Sequence, residues 1–271
     1  MSGGPFFFGI PLLSQKVSPD WATTCALLNR TIESCFTNRD HDVRVLVACH
    51  ELPELSPAVK AFKDRITFLV ADHAAPAIDS SKGDRRQDKH RKMGKLVEHA
   101  SAANNCHLFI LDADDVVSTS IVSHVFSKGS VSVVFRVGYV FNEKSGEIYR
   151  RERFDQFCGS ACALFFGREE STGKELDGAQ LATVPMSHKN WQTLVERYGG
   201  RIIKSREPHV VYIKNHGVNL SFLDDNGVFN PSRPARFEAQ FSEERLEEGV
   251  SVTDTEGFSK LFPLLQMKQP Q

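Results

Sequence analysis

A doubly wound α/β sheet is the architecture that this 271-residue sequence predicts. Three observations point there: short, nearly all-apolar segments separated by stretches of helical periodicity, enough apolar residues to build a sizeable core, and acidic residues gathered where one apolar segment ends. Segments such as Val43–Cys49 (VRVLVAC) lack the alternation of a strand with one wet face, which suits central parallel strands covered on both sides. Strands alternating with helices form crossover units and hence a mostly parallel sheet.

Phe6–Leu12, aromatic-rich and bounded by Gly and Pro, is the first strand. Asp20 then caps a helix in which Trp21, Cys25, Leu28, Ile32 and Cys35 recur at helical spacing, and Val43–Cys49 completes a βαβ unit. A short helix over Pro57–Lys63 leads to a third strand, Ile66–Ala71. Asp72–Asp88, with two prolines and a charge cluster, reads as a loop, and Lys89–Asn104 as a helix carried by Met93, Leu96, Val97 and Ala100. His107–Leu111 is the fourth strand and ends in Asp112-Ala113-Asp114-Asp115. Ser118–Ser127 follows as a helix. Val131–Asn142 and Glu147–Arg153 read as strands about the turn Glu143-Lys144-Ser145-Gly146, and Cys162–Phe166 as another, so the sheet becomes mixed. Ser187 caps a helix over His188–Tyr198 that Gly199-Gly200 ends, and Val210–Ile213 is a late strand. Beyond Pro231 the chain turns polar, with a charged helix over Pro234–Glu248 and an amphipathic tail near Phe258–Met267. The chain is therefore divided into a main domain, 1–231, and a C-terminal helical extension, 232–271.

With 33 basic against 34 acidic residues the net charge is -1, which excludes a function carried by bulk charge, on nucleic acid or on a membrane surface. A hydrophobic content of 41% excludes global disorder. Cys25, Cys35, Cys49, Cys106, Cys158 and Cys162 show no disulfide framework and several sit in apolar runs, which predicts buried thiols and a cytoplasmic setting. Cys158 and Cys162 have no second Cys/His pair nearby, so no structural zinc is predicted there. The apolar start MSGGPFFFGIPLL lacks a basic flank and falls short of the roughly 20 residues of a membrane span, so it is read as a strand and no transmembrane segment is expected.

The sharpest chemical signal is the apolar run Phe109-Ile110-Leu111 discharging Asp112, Asp114 and Asp115 at one strand end. Carboxylates this close raise one another's pKa, and a divalent cation is a natural counter-ion; alternate positions suit oxygen ligation of Mg²⁺ or Mn²⁺. The same residues also fit a solvated acidic turn or helix cap. Asp88-Lys89-His90-Arg91-Lys92 places cations at an expected helix start, which suits phosphate binding and equally a solvated charged turn.

Taken in order, Pro11 after the first strand, the βαβ unit ending in Val45-Leu46-Val47-Ala48-Cys49-His50-Glu51, Asp72 after the third strand, Asp88–Lys92 and Leu111-Asp112-Ala113-Asp114-Asp115 resemble the GT-A glycosyltransferases, with the look of bacterial family-2-like members over roughly residues 5 to 220. The resemblance implies a Rossmann-like GT-A sheet and a metal-dependent enzyme moving a sugar from a nucleotide-diphosphate donor, UDP-sugar by default, to a hydroxyl of a glycan or lipid-linked acceptor. It implies Mn²⁺ or Mg²⁺ held by Asp112, Asp114 and His216, and a nucleotide contacted by Pro11, His50, Glu51, Asp72, Lys89, Lys92, Asp112 and Ala113. Cys158-Gly159-Ser160 would form the small-residue loop against the donor sugar. The general-base motif of inverting members has no clean match; Asp177 and His188 are the candidates, with Glu169 and Glu170 nearby, and His188 has the ordinary pKa closest to neutrality. His216 and His188 also fit plain loop and surface histidines. Peripheral membrane association and a homo-oligomer are compatible with this reading.

Two rivals stand beside it. The string Asp112-Ala113-Asp114-Asp115-Val116-Val117 matches the opening motif of haloacid-dehalogenase-type phosphatases, with Leu223-Asp224-Asp225 as a later acidic pair, but that family expects its nucleophile on the first strand. A catalytically silent sugar-nucleotide-binding protein is the other.

Overall fold

The computed structural model describes residues 4–216, 230, 232–233, 235–237, 239, 250–251 and 255–265. Its strands are β1 (Phe6–Pro11), β2 (Val43–Cys49), β3 (Ile66–Val70), β4 (Cys106–Ile110), β5 (Val116–Val117), β6 (Ser132–Phe135), β7 (Val137–Asn142), β8 (Glu147–Glu152), β9 (Cys162–Phe166), β10 (Ile202–Ser205), β11 (Val210–Lys214) and β12 (Val250–Ser251). The helices are α1 (Trp21–Cys35), α2 (Pro57–Lys60), α3 (Lys82–Ser101), α4 (Ile121–Ser127), α5 (Gly178–Ala182), α6 (Trp191–Arg197) and α7 (Thr255–Leu261).

Seven strands form the central sheet in the order β10-β6-β9-β4-β1-β2-β3. All neighbours are parallel except β9, which runs antiparallel to β4 and β6. This is the expected mostly parallel, mixed and doubly wound sheet. The pleat of β1 explains why it is doubly wound. Phe6, Phe8 and Ile10 pack with Leu28 and Ile32 of α1 and Ile121 and Val125 of α4. Phe7 points the other way, among Met93, Leu96 and Val97 of α3, Leu181 of α5 and Trp191 of α6. Each such phenylalanine contributes roughly 1.5–3 kcal/mol of burial, and the aromatic run is core rather than ligand platform.

A second, five-stranded sheet, β12-β8-β7-β11-β5, abuts the first. The chain crosses between the two sheets at Arg136, so the apolar run expected as one strand over Val131–Asn142 is two strands in different sheets. α7 and the residues just after it cover this second sheet, burying Phe258, Phe262 and Leu265 against Phe141, Val211 and Ile213. The described part of the C-terminal extension thus includes β12 and α7; the helix expected over Pro234–Glu248 falls largely outside the described residues.

Several boundaries differ from expectation. α3 begins at Lys82, where Ser81 and Asp84 form a reciprocal capping box, so the last seven residues of the expected loop Asp72–Asp88 are helix. The consequence is chemical: Lys89 and Lys92 lie well inside the helix, and the argument from a helix N-terminus does not apply to them. β10, β5 and α5 were not anticipated, being too short to show a period.

Candidate functional site

β4 ends at the carboxyl edge of the central sheet, beside the ends of β1 and β2, the edge at which doubly wound sheets bind ligands. The acidic tip that follows is built from both sheets. β5 starts immediately after Asp115 and pairs antiparallel with the first residues of β11, and the far end of β11 returns Lys214, Asn215 and His216 to the aspartates. Asn215 has φ 64°, a left-handed conformation that asparagine tolerates better than most residues. The bend carries His216 back so that its Nε2 lies 2.8 Å from Asp114 Oδ2.

The three carboxylates have three different environments. Asp112 Oδ1 accepts from Lys89 Nζ at 2.5 Å, across from α3. Burial works against the Asp114 charge, but the His216 hydrogen bond, helped by the nearby Lys214 and Lys89 charges, holds its carboxyl below the usual range. Asp115 is fully buried. Its Oδ2 accepts from Ser160 Oγ at 2.6 Å and Cys158 Sγ at 3.3 Å, and its Oδ1 from the Ile213 N–H at 3.1 Å. Burial first, then the charges of Asp114 and Asp112, push the Asp115 carboxyl well above its ordinary value. Asp115 therefore acts as the joint that ties the tip to β11 and to the Cys158-Gly159-Ser160 loop. Lys214 is buried against the same acids; burial lowers its pKa, with Asp114 and Asp115 opposing.

Cys158-Gly159-Ser160 lies against the acidic tip. Ser160 Oγ accepts from the Asp112 N–H at 2.8 Å, and a Cβ on Gly159 would sit 2.9 Å from Asp112 Oδ2, so glycine lets the loop approach without displacing the Asp112 carboxylate. Ala113 contributes its carbonyl, which accepts from Thr31 Oγ1 at 3.0 Å.

Beside the tip lies a second network at the ends of β1, β2 and β3. Asp88 Oδ1 accepts from His50 Nε2 at 2.7 Å and His73 Nε2 at 2.9 Å, while Oδ2 accepts from Lys92 Nζ at 2.7 Å. Lys92 also donates to the Leu12 carbonyl at 2.8 Å and is only 1% exposed. This corrects the expectation that Lys92 contacts a nucleotide: its ammonium is consumed by Asp88 and the backbone after β1. Glu51 accepts from Ser14 Oγ at 3.0 Å and the Gln15 N–H at 2.9 Å and fixes the loop after β1. Pro11 ends β1 opposite Ala48. Asp72 is exposed and paired with Lys95 Nζ at 3.1 Å, which, ahead of its neighbour His73, holds its carboxyl low.

Asp177 is not brought to this edge. It caps α5, whose Gly178 packs on Ser101 and Phe166, and Phe166 pairs with Cys106 at the start of β4. The distance is a full strand, so a base role for Asp177 is not what the geometry offers. The backbone of His188 opens a turn that packs on the 154–156 turn leading to the Cys158 loop, while its side chain lies outside the described residues. Glu169 is held by Arg201, Ser171 and Thr172.

Asp114 and His216 offer a carboxylate oxygen and an imidazole nitrogen on a common approach, a donor pair that fits Mn²⁺ or Mg²⁺ with further oxygens from a ligand. Asp112, expected as a third ligand, is turned to Lys89 instead. Among the described residues, groups of three or more metal-ligand atoms converge at His50/His73/Asp88 and at His124/Glu207/His209, and not at the acidic tip. Lys214 and His73 were not singled out by the sequence, and Asp115 and Asp88, though noted there, were not assigned the structural parts they play. For Asp115 a signal existed, since three near-adjacent acids at one buried strand end cannot all stay charged.

No family model matches the chain, and no curated protein sequence does. Solved structures that are similar include a fragment of S. aureus TarS, at 10% identity and TM-score 0.41 over 78% of this chain. This chain spans 60% of that fragment. Rv0371C from Mycobacterium tuberculosis H37Rv, in complex with manganese, is similar at 11% identity and TM-score 0.40, over 78% of this chain and 91% of that one. 4-diphosphocytidyl-2C-methyl-D-erythritol synthase is similar at 10% identity and TM-score 0.41, over 87% and 98%. Likeness at this level concerns the fold, and function has to be read from the site. Among the described residues no helix is long and apolar enough to cross a membrane.

Proposed function

We propose that the chain is a glycosyltransferase that takes a sugar from a nucleoside-diphosphate donor, UDP-sugar first among them, to a hydroxyl of a glycan or lipid-linked acceptor. The observation that carries this reading is the gathering of Asp112, Asp114, Lys89, Lys214 and His216 at the carboxyl edge of the sheet, backed by the close-approach glycine of the Cys158-Gly159-Ser160 loop. Asp114 and His216 would hold Mn²⁺ or Mg²⁺, and when bound the ion stabilises the negative charge that develops on the departing diphosphate.

The protein's own groups have defined work. Lys89 is partly exposed and already charge-paired, and the acids around it keep its ammonium protonated against the effect of burial. A donor diphosphate competes with Asp112 for that ammonium, which binds the phosphate and frees the Asp112 carboxylate together. Asp115 and Ser160 keep the tip fixed during the exchange, so the Asp112 backbone does not move with its side chain. Glu51 and the Asp88 network set the loop after β1 and the first turn after β2, the walls of the nucleotide pocket. His188 remains the candidate base for the acceptor hydroxyl. The phosphatase reading fits poorly, because Asp112 follows the fourth strand and is spent on Lys89; its second acidic pair, Leu223-Asp224-Asp225, lies outside the described residues.

The experiment is to incubate the protein with nucleotide sugars, nucleoside triphosphates and phosphorylated metabolites and to follow release of nucleoside diphosphate, pyrophosphate and phosphate. Release of nucleoside diphosphate alone supports a glycosyl donor; pyrophosphate or phosphate release overturns it.

A further inference from the structure

A second constellation lies at the other end of β11. His209 immediately precedes this strand, His124 lies in α4, and Glu207 sits in the link from β10 to β11. Five residues of strand, roughly 16 Å at 3.3 Å per residue, separate His209 from Lys214 at the acidic tip, so the two sites are distinct. His124 Nδ1 lies 3.1 Å from Glu207 Oε2, and His209 Nε2 lies 3.8 Å from the same oxygen. The imidazole centroids are 4.4 Å apart, and the three ligand atoms lie within 4.8 Å of one another.

The outer nitrogens are engaged by serines. His124 Nε2 is 2.8 Å from Ser205 Oγ and His209 Nδ1 is 2.8 Å from Ser118 Oγ. With each outer N–H donating to a serine oxygen, both inner nitrogens present lone pairs toward a carboxylate. His209 Nε2 is buried and has no hydrogen-bond partner among the described residues. In this tautomer two lone pairs face a carboxylate oxygen, and a cation among them turns their repulsion into ligation.

We propose that His124, His209 and Glu207 form a binding site for a divalent transition-metal ion of the zinc class, with water completing the coordination. Two imidazoles and one carboxylate are a three-ligand set that suits this ion and leaves one position open. The serines orient both rings through the nitrogens that do not face the ion. The rival arrangement is a plain ion pair between a protonated His124 and Glu207. That pairing serves His124 alone and leaves His209 Nε2, buried and 3.8 Å from the carboxylate oxygen, without a hydrogen bond among the described residues. Lys128 Nζ approaches the other carboxylate oxygen, Oε1, at 3.8 Å and leaves Oε2 to the ion. Glu207 is 65% exposed, so the ion has a path in, and its binding joins α4 to the β10–β11 link.

The test uses the full chain stripped with a chelator and titrated with Zn²⁺ in competition with a chromophoric chelator. Wild type and Asp114→Ala should bind one equivalent more than Glu207→Ala, or bind it at least tenfold more tightly, and Zn²⁺ should raise their melting temperature by a margin that Glu207→Ala loses. Sites elsewhere in the chain cancel in this comparison. Glu207 is exposed, so its variants fold, and Co²⁺ in place of Zn²⁺ should give a visible ligand-field spectrum in wild type that Glu207→Ala lacks. Equal stoichiometry, affinity and melting shift in wild type and Glu207→Ala would overturn the proposal, whatever becomes of the function assigned to the acidic tip.

Discussion

Lys92→Met is the perturbation whose outcome follows most directly from the packing. The Lys92 ammonium, 1% exposed, is shared between Asp88 Oδ2 at 2.7 Å and the Leu12 carbonyl at 2.8 Å. Burial raises the Asp88 carboxyl, yet Lys92, His50 and His73 outweigh it and keep the carboxyl below its usual value. Methionine matches the volume and removes the charge, so Asp88 stays buried with only its two imidazole partners and Leu12 loses its donor. Removing one member of a buried pair costs about 3–5 kcal/mol. With a urea m-value of roughly 3 kcal/mol/M, this appears as a midpoint lower by 1 M or more. The double variant Lys92→Met/Asp88→Asn should recover a large part of that loss, because the stranded charge is gone while Asn can still meet both histidines. A single variant that loses less than about 1 kcal/mol, or a double variant worse than the sum of the two singles, would refute the reasoning.

Three further outcomes follow from named contacts. His107 is buried among Phe6, Phe126 and Phe165, and burial pushes its imidazole down to about 4. The unfolded chain titrates near 6.5 and binds the proton first, so stability is full above that pH and falls as pH drops from about 6.5 toward 4, by up to about 3 kcal/mol; His107→Leu should flatten this slope in urea unfolding at a series of pH values. Gly94→Ala puts a Cβ 2.4 Å from the Ala182 carbonyl where α3 meets α5, so a change that ordinarily favours a helix should here lower stability by about 1–3 kcal/mol in the same assay. Gly159→Ala meets the movable end of Asp112, 2.9 Å away, and should leave the melting temperature nearly unchanged while weakening nucleoside diphosphate binding roughly tenfold by calorimetry.

The parts legible from sequence were those in which local pattern and tertiary role coincide. The run Phe6–Pro11 is buried on both faces, so its apolar continuity stated both strand and position. The tip at Asp112–Asp115 was visible because carboxylates directly after an apolar strand are costly wherever they stand. α3 was misjudged at its start because Ser81-x-x-Asp84 capping lies in a stretch whose charges and prolines resemble a loop. Arg136 interrupts the apolar run where the chain changes sheets, but one charged residue inside a strand pattern does not by itself mark a break. Lys214 was hidden for the same reason, and His216 was named only through the resemblance: both reach the aspartates because β5 and β11 pair across some ninety residues of chain, a register set by the second sheet. Asp177 looked suitable by composition, and topology alone puts it at the wrong end of β4.

Calorimetric titration of UDP into the full chain, with Mn²⁺ and with chelator, in wild type, Asp114→Ala and His216→Ala, tests the central claim most directly. Binding that strengthens at least tenfold with Mn²⁺ in wild type, and loses that gain in both folded variants, is the expected result. UDP affinity indifferent to the ion and to both substitutions would contradict a diphosphate site at the acidic tip.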